Sequence, residues 1–177
     1  MGCAQSVQAH VVEPIGDDAE SGGAAPDFHR EYKLKERLGK GGWAVVYAAS
    51  PRGDAAAELA VKVLDVRPRA SRRCPADEYA VTQGSDIADP RQIRWVCQEV
   101  RALSAVSGHG NVCRILDSYI QGCFAYIVMD KYDRPLYDAL DQLEALNEVS
   151  LRPFLAQMLA GLVYVHAQAV IHRDVKP

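Results

Sequence analysis

The chain has 177 residues, 49% of them hydrophobic and 24% charged, a composition typical of about one soluble globular domain. Its formal net charge of -3 is too small to indicate a nucleic-acid partner. The five cysteines are odd in number and show no Cys-x-x-Cys spacing, which argues against a disulfide framework or a zinc site and favours reduced thiols in the cytosol. We expect Cys97, Cys113 and Cys123 to be small buried side chains.

Residues 1–31 form an acidic leader, with six acidic residues against one basic residue. Its opening, MGCAQS, fits the N-myristoylation pattern with Gly2 as the acceptor, although a chance match of six residues is the alternative. One myristoyl chain binds membranes only marginally, and an acidic segment cannot act as a polybasic signal, so Cys3 is the candidate for a second, palmitoyl anchor. The leader therefore predicts tethering to the cytoplasmic face of a membrane, with residues 7–27 as a disordered linker.

Extended segments begin at Tyr32. Alternating apolar residues predict a first strand from Tyr32 to Leu38, and VVYAAS and LAVKVL predict two more strands around the glycine-rich stretch LGKGGWA. These three strands would form an antiparallel meander. Residues 67–90 are polar and rich in turn-forming residues, which predicts a long surface insertion.

Apolar residues then recur at three- and four-residue steps from Ile93 to Leu103, which predicts an amphipathic helix. RILDSYI and FAYIVMD predict two further strands. Two helical patterns follow, the second of them capped by Ser150. The first opens around Asp133–Pro135 and carries Leu136, Leu140, Leu143 and Leu146. Residues 154–171 are strongly apolar but too short and interrupted for a membrane span, so we expect a helix buried in protein.

Residues 38–47 have the composition that a triphosphate site needs, because glycines let backbone N–H groups approach phosphate oxygens. Taken alone, Gly39 to Ala44 also satisfies the dinucleotide fingerprint G-x-G-x-x-A, which would make the chain an oxidoreductase. That fold demands a helix directly after Ala44, whereas the sequence predicts a strand. The dinucleotide alternative is therefore disfavoured.

The order of these features resembles the eukaryotic protein kinase domain of the serine/threonine type, from residue 32 to residue 177. A glycine loop is followed by a strand with Lys62, a helix with Glu99, two strands, helices and the stretch HRDVKP. The resemblance is to the N-terminal portion only, because the chain ends within the catalytic loop, before the family's asparagine, Asp-Phe-Gly and Ala-Pro-Glu segments.

The resemblance implies an α+β, protein-kinase-like fold. A five-stranded antiparallel N-lobe sheet with one helix would be followed by the first helices of an incomplete α-helical C-lobe. Residues 1–31 would be the leader, 32–130 the N-lobe with its insertion at 67–90, and 131–177 the hinge and the start of the C-lobe.

The resemblance also implies the roles of the site residues. Lys62, braced by Glu99, would hold the α- and β-phosphates of ATP. Asp174 would orient the substrate hydroxyl and accept its proton, while Lys176 would contact the transferred phosphate and marks the serine/threonine subgroup. The implied ATP-binding set comprises Leu38, Gly39, Lys40, Gly41, Gly42, Trp43, Ala44, Val45, Val46, Ala60, Lys62, Met129, Asp130 and Tyr132.

Three of these assignments have particular consequences. Met129 would guard the back of the adenine pocket, and the backbone of Asp130 and Tyr132 would bind the adenine edge. Ala44 departs from the family pattern, because it takes the place of the third glycine, and its methyl group should stiffen the loop. Arg173 would pair with a phosphorylated activation loop, and His172 would be a structural, hydrogen-bonded histidine.

The implied function is ATP-dependent phosphoryl transfer from Mg-ATP to protein serine or threonine hydroxyls, with ATP and a protein substrate as partners. The magnesium ligands of the family lie beyond Pro177, so no metal-ligating residue is predicted and we expect this 177-residue chain alone to be inactive. The alternative is a truncated, non-catalytic ATP-binding or interaction module.

Overall fold

A computed structural model describes residues 27–68, 87–141 and 147–175. These residues divide into two compact units. The first holds the described residues of Met1–Arg101 together with Ile115–Lys131, and the second holds Ala102–Arg114 and the described residues of Tyr132–Pro177. Several predictions concern residues outside the described ranges: Gly2, Cys3, Leu143, Leu146, Lys176, most of the leader and residues 69–86 of the insertion.

The first unit is built on a five-stranded antiparallel sheet, as the resemblance implies. Its strands are β1 (Tyr32–Lys40), β2 (Ala44–Pro51), β3 (Leu59–Asp65), β4 (Ile115–Gln121) and β5 (Phe124–Asp130). They lie in the order β1-β2-β3-β5-β4. β-Branched and aromatic residues dominate β3 and β5, which are buried along most of their length because both are flanked by other strands. Gly122 turns the chain between β4 and β5 with a φ of 57°, a conformation that favours glycine.

A short helix, α1 (Phe28–Glu31), precedes the sheet and packs on it. Phe28 is fully buried and stacks on Tyr126, with ring centroids 4.2 Å apart, and it meets the Tyr119 ring edge-on. Asp27 caps the helix by accepting a hydrogen bond from the backbone N–H of His29. The last residues of the predicted leader, 28–31, therefore form a helix that one aromatic side chain ties to the core.

The predicted amphipathic helix is confirmed as α2 (Pro90–Val106). Asp89 accepts a hydrogen bond from the backbone N–H of Arg91 at 2.8 Å, which satisfies one donor at the start of the helix. Val96 and Val100 are buried on one face.

The second unit contains two helices, α3 (Leu136–Leu140) and α4 (Glu148–Ala167). The cap of α4 is Asn147 and not Ser150 as predicted. The Asn147 side chain accepts the Ser150 N–H at 3.0 Å, and the Ser150 hydroxyl accepts the Asn147 N–H at 3.1 Å. Ser150 is thus the third helical residue of a capping box.

The prediction that α4 is a buried helix is wrong for the described part of the chain. Only Gly161 and Val165 are buried, whereas Leu155, Leu159 and Val163 are more than half exposed. The buried side of α4 faces the loop after α2, since a Cβ on Gly161 would lie 2.8 Å from the Asn111 carbonyl oxygen. No helix in the described ranges is long and apolar enough to cross a membrane.

The cysteine prediction is confirmed for one residue. Cys123 is buried, whereas Cys97 and Cys113 are only half-buried. The other two cysteines of the chain lie outside the described ranges.

Candidate active site

The glycine loop joins β1 to β2. The Gly41 N–H donates to the Ala44 carbonyl at 2.9 Å and closes the turn. A Cβ on Gly39 or Gly42 would meet no atom within 4 Å, so packing within the described chain does not require glycine at either position. The space beside this backbone is open to an external group, as phosphate binding requires.

Ala44 begins β2 and is buried, so its methyl group packs in protein. Its effect on phosphate contact stays a prediction. Because a strand and not a helix starts at Ala44, the backbone lacks the arrangement that a dinucleotide-binding fold demands, and that alternative is wrong.

The strand register brings five of the predicted residues to one face of the sheet. Gly39 lies opposite Val46, and Val46 lies opposite Lys62. Two residues back along β3, Ala60 lies opposite Met129. Directly paired residues share a face, and alternate residues of a strand share it too. The apolar groups and the one cation that would flank a nucleotide are therefore aligned.

The same register separates two predicted residues from that face. Val45 pairs with Lys40 on one side and Val63 on the other, so Lys40 and Val45 point their side chains to the opposite face of the sheet. Ile127 lies opposite Lys62 and is fully buried on the same face, and it is absent from the predicted ATP-binding set. Its spacing of two residues from Met129 is the signal that could have identified it.

Lys62 and Glu99 meet as predicted. The Lys62 Nζ lies 2.5 Å from the Glu99 Oε1, and the side chains are 28% and 22% exposed. The buried Val96 and Val100 hold the helix face that presents Glu99. An ammonium group has three donors, so Lys62 can bind Glu99 and still donate to phosphate oxygens. The arrangement fits a triphosphate beside the glycine loop.

The Glu99 Oε2 is buried and has no hydrogen-bond partner among the described residues. A buried carboxylate oxygen without a donor is costly, so this atom has acceptor capacity for a further group. Among residues 27–68, 87–141 and 147–175, no group of three or more His, Cys, Asp or Glu side chains is arranged to hold a metal ion.

At the edge of the proposed adenine site, Met129 and Asp130 are half-buried at the end of β5. The next residue, Lys131, pairs with Glu58 at 2.6 Å. Leu38 and Trp43 are exposed on the glycine hairpin. Tyr132, also exposed, belongs to the second unit.

The catalytic-loop residues lie after α4 in the second unit. The Asp174 N–H donates to the His172 Nδ1 at 3.3 Å, so His172 is hydrogen-bonded as expected, and the Asp174 side chain is exposed. Arg173, between them, has a φ of 63°, a left-handed conformation that is uncommon for residues other than glycine. Such strained backbone is often found at functional sites.

Comparisons with known proteins agree with this geometry. The model of the protein kinase domain matches residues 32–177. The liver/testis gamma catalytic chain of phosphorylase b kinase from Mus musculus is 29% identical over 91% of this chain and 36% of its own length. CDPK-related kinase 5 from Arabidopsis thaliana is 30% identical over 93% of this chain and 26% of its own length. Serine/threonine-protein kinase pim-2 from Danio rerio is 26% identical over 84% of this chain and 46% of its own length.

The chain thus spans about a third of the length of the phosphorylase b kinase relatives that it matches. The family match covers most of its residues, and its sheet, glycine loop and Lys62–Glu99 pair agree with that match. The chain therefore belongs to the protein kinase family and resembles its serine/threonine members.

Proposed function

We propose that the protein binds ATP and transfers its γ-phosphoryl group to serine or threonine hydroxyls of a protein substrate. The observation that carries this proposal is the half-buried Lys62–Glu99 pair, on the same sheet face as Val46 and Ala60 and next to a glycine hairpin with open space beside it. A cation held in place by a carboxylate, near apolar groups, suits a nucleotide with a charged phosphate tail.

Phosphoryl transfer proceeds through a loose transition state, so catalysis comes mainly from positioning and from neutralising charge. Lys62 would donate hydrogen bonds to the α- and β-phosphates, and Glu99 would keep its ammonium group from swinging into solvent. Asp174 would accept the proton of the substrate hydroxyl, with its backbone fixed by His172. Magnesium, when bound, supplies further neutralisation of the phosphate charge. We assign Lys176 to the transferred phosphate on resemblance alone.

The test of this proposal is nucleotide binding by the 177-residue chain. Lys62→Met should weaken ATP affinity at least tenfold by calorimetry, because the phosphates lose their cation. Lys33→Met is the matched control, since Lys33 is an exposed lysine of β1 outside the predicted site, and it should leave the affinity unchanged. Equal affinities for the two variants would refute the assignment of Lys62.

We expect the 177-residue chain by itself to show no transferase activity, because it has neither the asparagine nor the Asp-Phe-Gly aspartate that hold magnesium in the family. Phosphate incorporation into a generic protein substrate that Asp174→Asn abolishes would contradict this.

A second candidate function, an interaction module without catalysis, is favoured by α4. Its exposed Leu155, Leu159 and Val163 form an apolar surface of the kind that contacts other protein. Transcript sequence beyond Pro177 separates the two candidates. Continuation into an asparagine and Asp-Phe-Gly supports the enzyme, whereas a stop codon supports the module.

We also propose a cytoplasmic protein tethered to a membrane through acyl groups on Gly2 and Cys3. The support is the MGCAQS sequence, in which both acceptors are adjacent. Membrane fractionation should show wild type in the pellet and Gly2→Ala in the supernatant, with Cys3→Ser bound more weakly than wild type. Identical partitioning of wild type and Gly2→Ala would reject the tether.

A further inference from the structure

A cavity of about 430 Å³ lies in the first unit, between the end of β3, the first turns of α2 and the tip of the glycine loop. Its wall includes Leu64 and Val66 from β3 and the turn after it, and Val96 from α2. It begins two residues beyond Lys62, and neither Lys62 nor Glu99 lines it. The cavity thus excludes the Lys62–Glu99 pair but includes Trp43, which the sequence also assigns to the ATP-binding set, and its volume falls in the ~300–1,000 Å³ range of ligand pockets.

Both tryptophans of the chain line this cavity. Trp43 is 57% exposed and Trp95 is 49% exposed, whereas Leu64, Val66 and Val96 below them are almost fully buried. Tryptophan has a large apolar surface and is enriched among the residues that dominate binding energy at protein interfaces. Two exposed indoles above an apolar floor therefore form a place where an inserted apolar side chain would gain contact on both sides.

Among the described residues, the charge at the rim of the cavity is positive. Asp65 contributes a carboxylate, but the Arg67 guanidinium pairs with it through hydrogen bonds at 3.0, 3.1 and 2.6 Å and cancels its charge. Arg91 is exposed, and its guanidinium makes no hydrogen bond or ion pair with any described residue.

The start of α2 adds partial positive charge of the same sign, and its first turn holds no acidic residue. Asp89 lies just outside that turn, where it caps the Arg91 N–H, and it does not line the cavity. The lining therefore favours an incoming carboxylate.

We propose that this cavity docks an acidic peptide segment of a partner protein. An aromatic side chain of the segment inserts between Trp43 and Trp95, and a neighbouring carboxylate binds Arg91. Charge complementarity selects this occupant, because an apolar slot that carries the Arg91 guanidinium at its rim, unpaired among the described residues, distinguishes an acidic segment from a neutral or basic one. The planar guanidinium can bind a carboxylate through two parallel hydrogen bonds.

The test uses a synthetic peptide, acetyl-Asp-Glu-Phe-Asp-Glu-amide, titrated against the full 177-residue chain. Tryptophan emission reports docking directly, because the only two tryptophans line the cavity. The control peptide replaces each acid with its amide. We expect a saturable emission change with the acidic peptide and at least tenfold weaker binding of the amide peptide. No saturable change, or equal binding of the two peptides, would overturn the proposal.

Two matched variants locate the contact. Arg91→Gln should erase the preference for the acidic peptide, whereas Arg94→Gln, one turn along the same helix and outside the lining, should retain it. Circular dichroism and the urea midpoint check that both variants stay folded, which we expect for exposed positions. An equal loss in both variants would show general charge attraction and would refute docking at the cavity.

Two further outcomes would assign the cavity to a different occupant. Competitive displacement of the peptide by ATP would make the cavity part of the nucleotide site. The second outcome concerns residues 69–86, whose sequence includes Asp77, Glu78 and Tyr79. The chain on either side of this segment is joined by a hydrogen bond from the Asp89 N–H to the Val66 carbonyl at 2.7 Å. If the peptide binds only after these residues are replaced by a short glycine-serine linker, the chain's own segment is the occupant. Either result would overturn the proposal that a partner protein supplies the docked segment.

Discussion

The sheet of the first unit and helix α4 of the second differ sharply in how they bury their apolar residues. Val61, Ile127 and Val128 in the sheet are fully buried, whereas Leu159 in α4 is 61% exposed. Strand partners and α1 cover the sheet from within its own unit. The apolar surface of α4 needs contacts that the described residues do not supply. The comparison shows that the Lys62–Glu99 pair rests on buried residues of its own unit.

The largest loss of stability should come from replacing Phe28, a fully buried residue in the core of the first unit. Phe28→Ala removes a fully buried ring that stacks on Tyr126, and it should lower the free energy of unfolding by about 3–5 kcal/mol. Leu159→Ala on exposed α4 should change it by less than ~0.5 kcal/mol. Urea unfolding measures both. Similar losses of stability for the two variants would contradict the difference in burial between the sheet and α4.

The pH dependence of unfolding tests the burial of side chains in the sheet of the first unit. Burial, with the nearby charge of Asp117 and its hydrogen bond, raises the pKa of Tyr32 to about 12, and the pKa of Tyr119 is raised for the same reasons. Folding therefore favours the protonated phenols. This stabilisation is complete below pH 10, the ordinary pKa, and is lost as the pH rises toward 12.

The urea midpoint should accordingly fall over that alkaline interval, and Tyr32→Phe should flatten the fall because it removes one titrating group. Tyr137→Phe, at an exposed position of α3, is the control and should leave the curve unchanged. A wild-type midpoint that stays constant between pH 10 and 12 would contradict the burial of these phenols.

The smallest effect belongs to the second unit. Asn147→Ala removes the cap of α4 and should cost about 1 kcal/mol, because an N–H at the helix start loses its acceptor. Asn147→Asp keeps an acceptor and should cost much less. Helical circular dichroism during urea unfolding follows both variants. If alanine and aspartate behave alike at this position, the capping box does not stabilise α4.

The strands and the ion pair were predictable because their signals are local. Alternating apolar residues mark β1, short runs of apolar, β-branched and aromatic residues mark the other four strands, and the glycine-lysine-glutamate order locates Lys62 and Glu99. The pleat of the sheet was the part missed. The motif predicts one binding site for the whole glycine stretch, whereas the alternation of side chains places Lys40 and Val45 on the other face.

The remaining differences depend on contacts that no local pattern contains. Phe28 stands alone in a polar stretch without periodicity, and its contacts with Tyr119 and Tyr126, distant in the sequence, make it part of the core. The run of apolar residues predicts the helix α4, but it does not say which other elements pack against that helix. The exposure of Leu155, Leu159 and Val163 therefore could not be predicted from the sequence. Asn147 and Ser150 are both good capping residues, and the capping box uses both.

The central claim is that Glu99 acts by holding Lys62 on the phosphates of a nucleotide. A double-mutant cycle on ATP affinity, with Lys62→Met, Glu99→Gln and the double variant, tests it most directly. The account predicts that Glu99→Gln weakens ATP binding in the wild-type chain and causes no further loss once Lys62 is methionine. Additive losses, or full affinity in Lys62→Met, would contradict it.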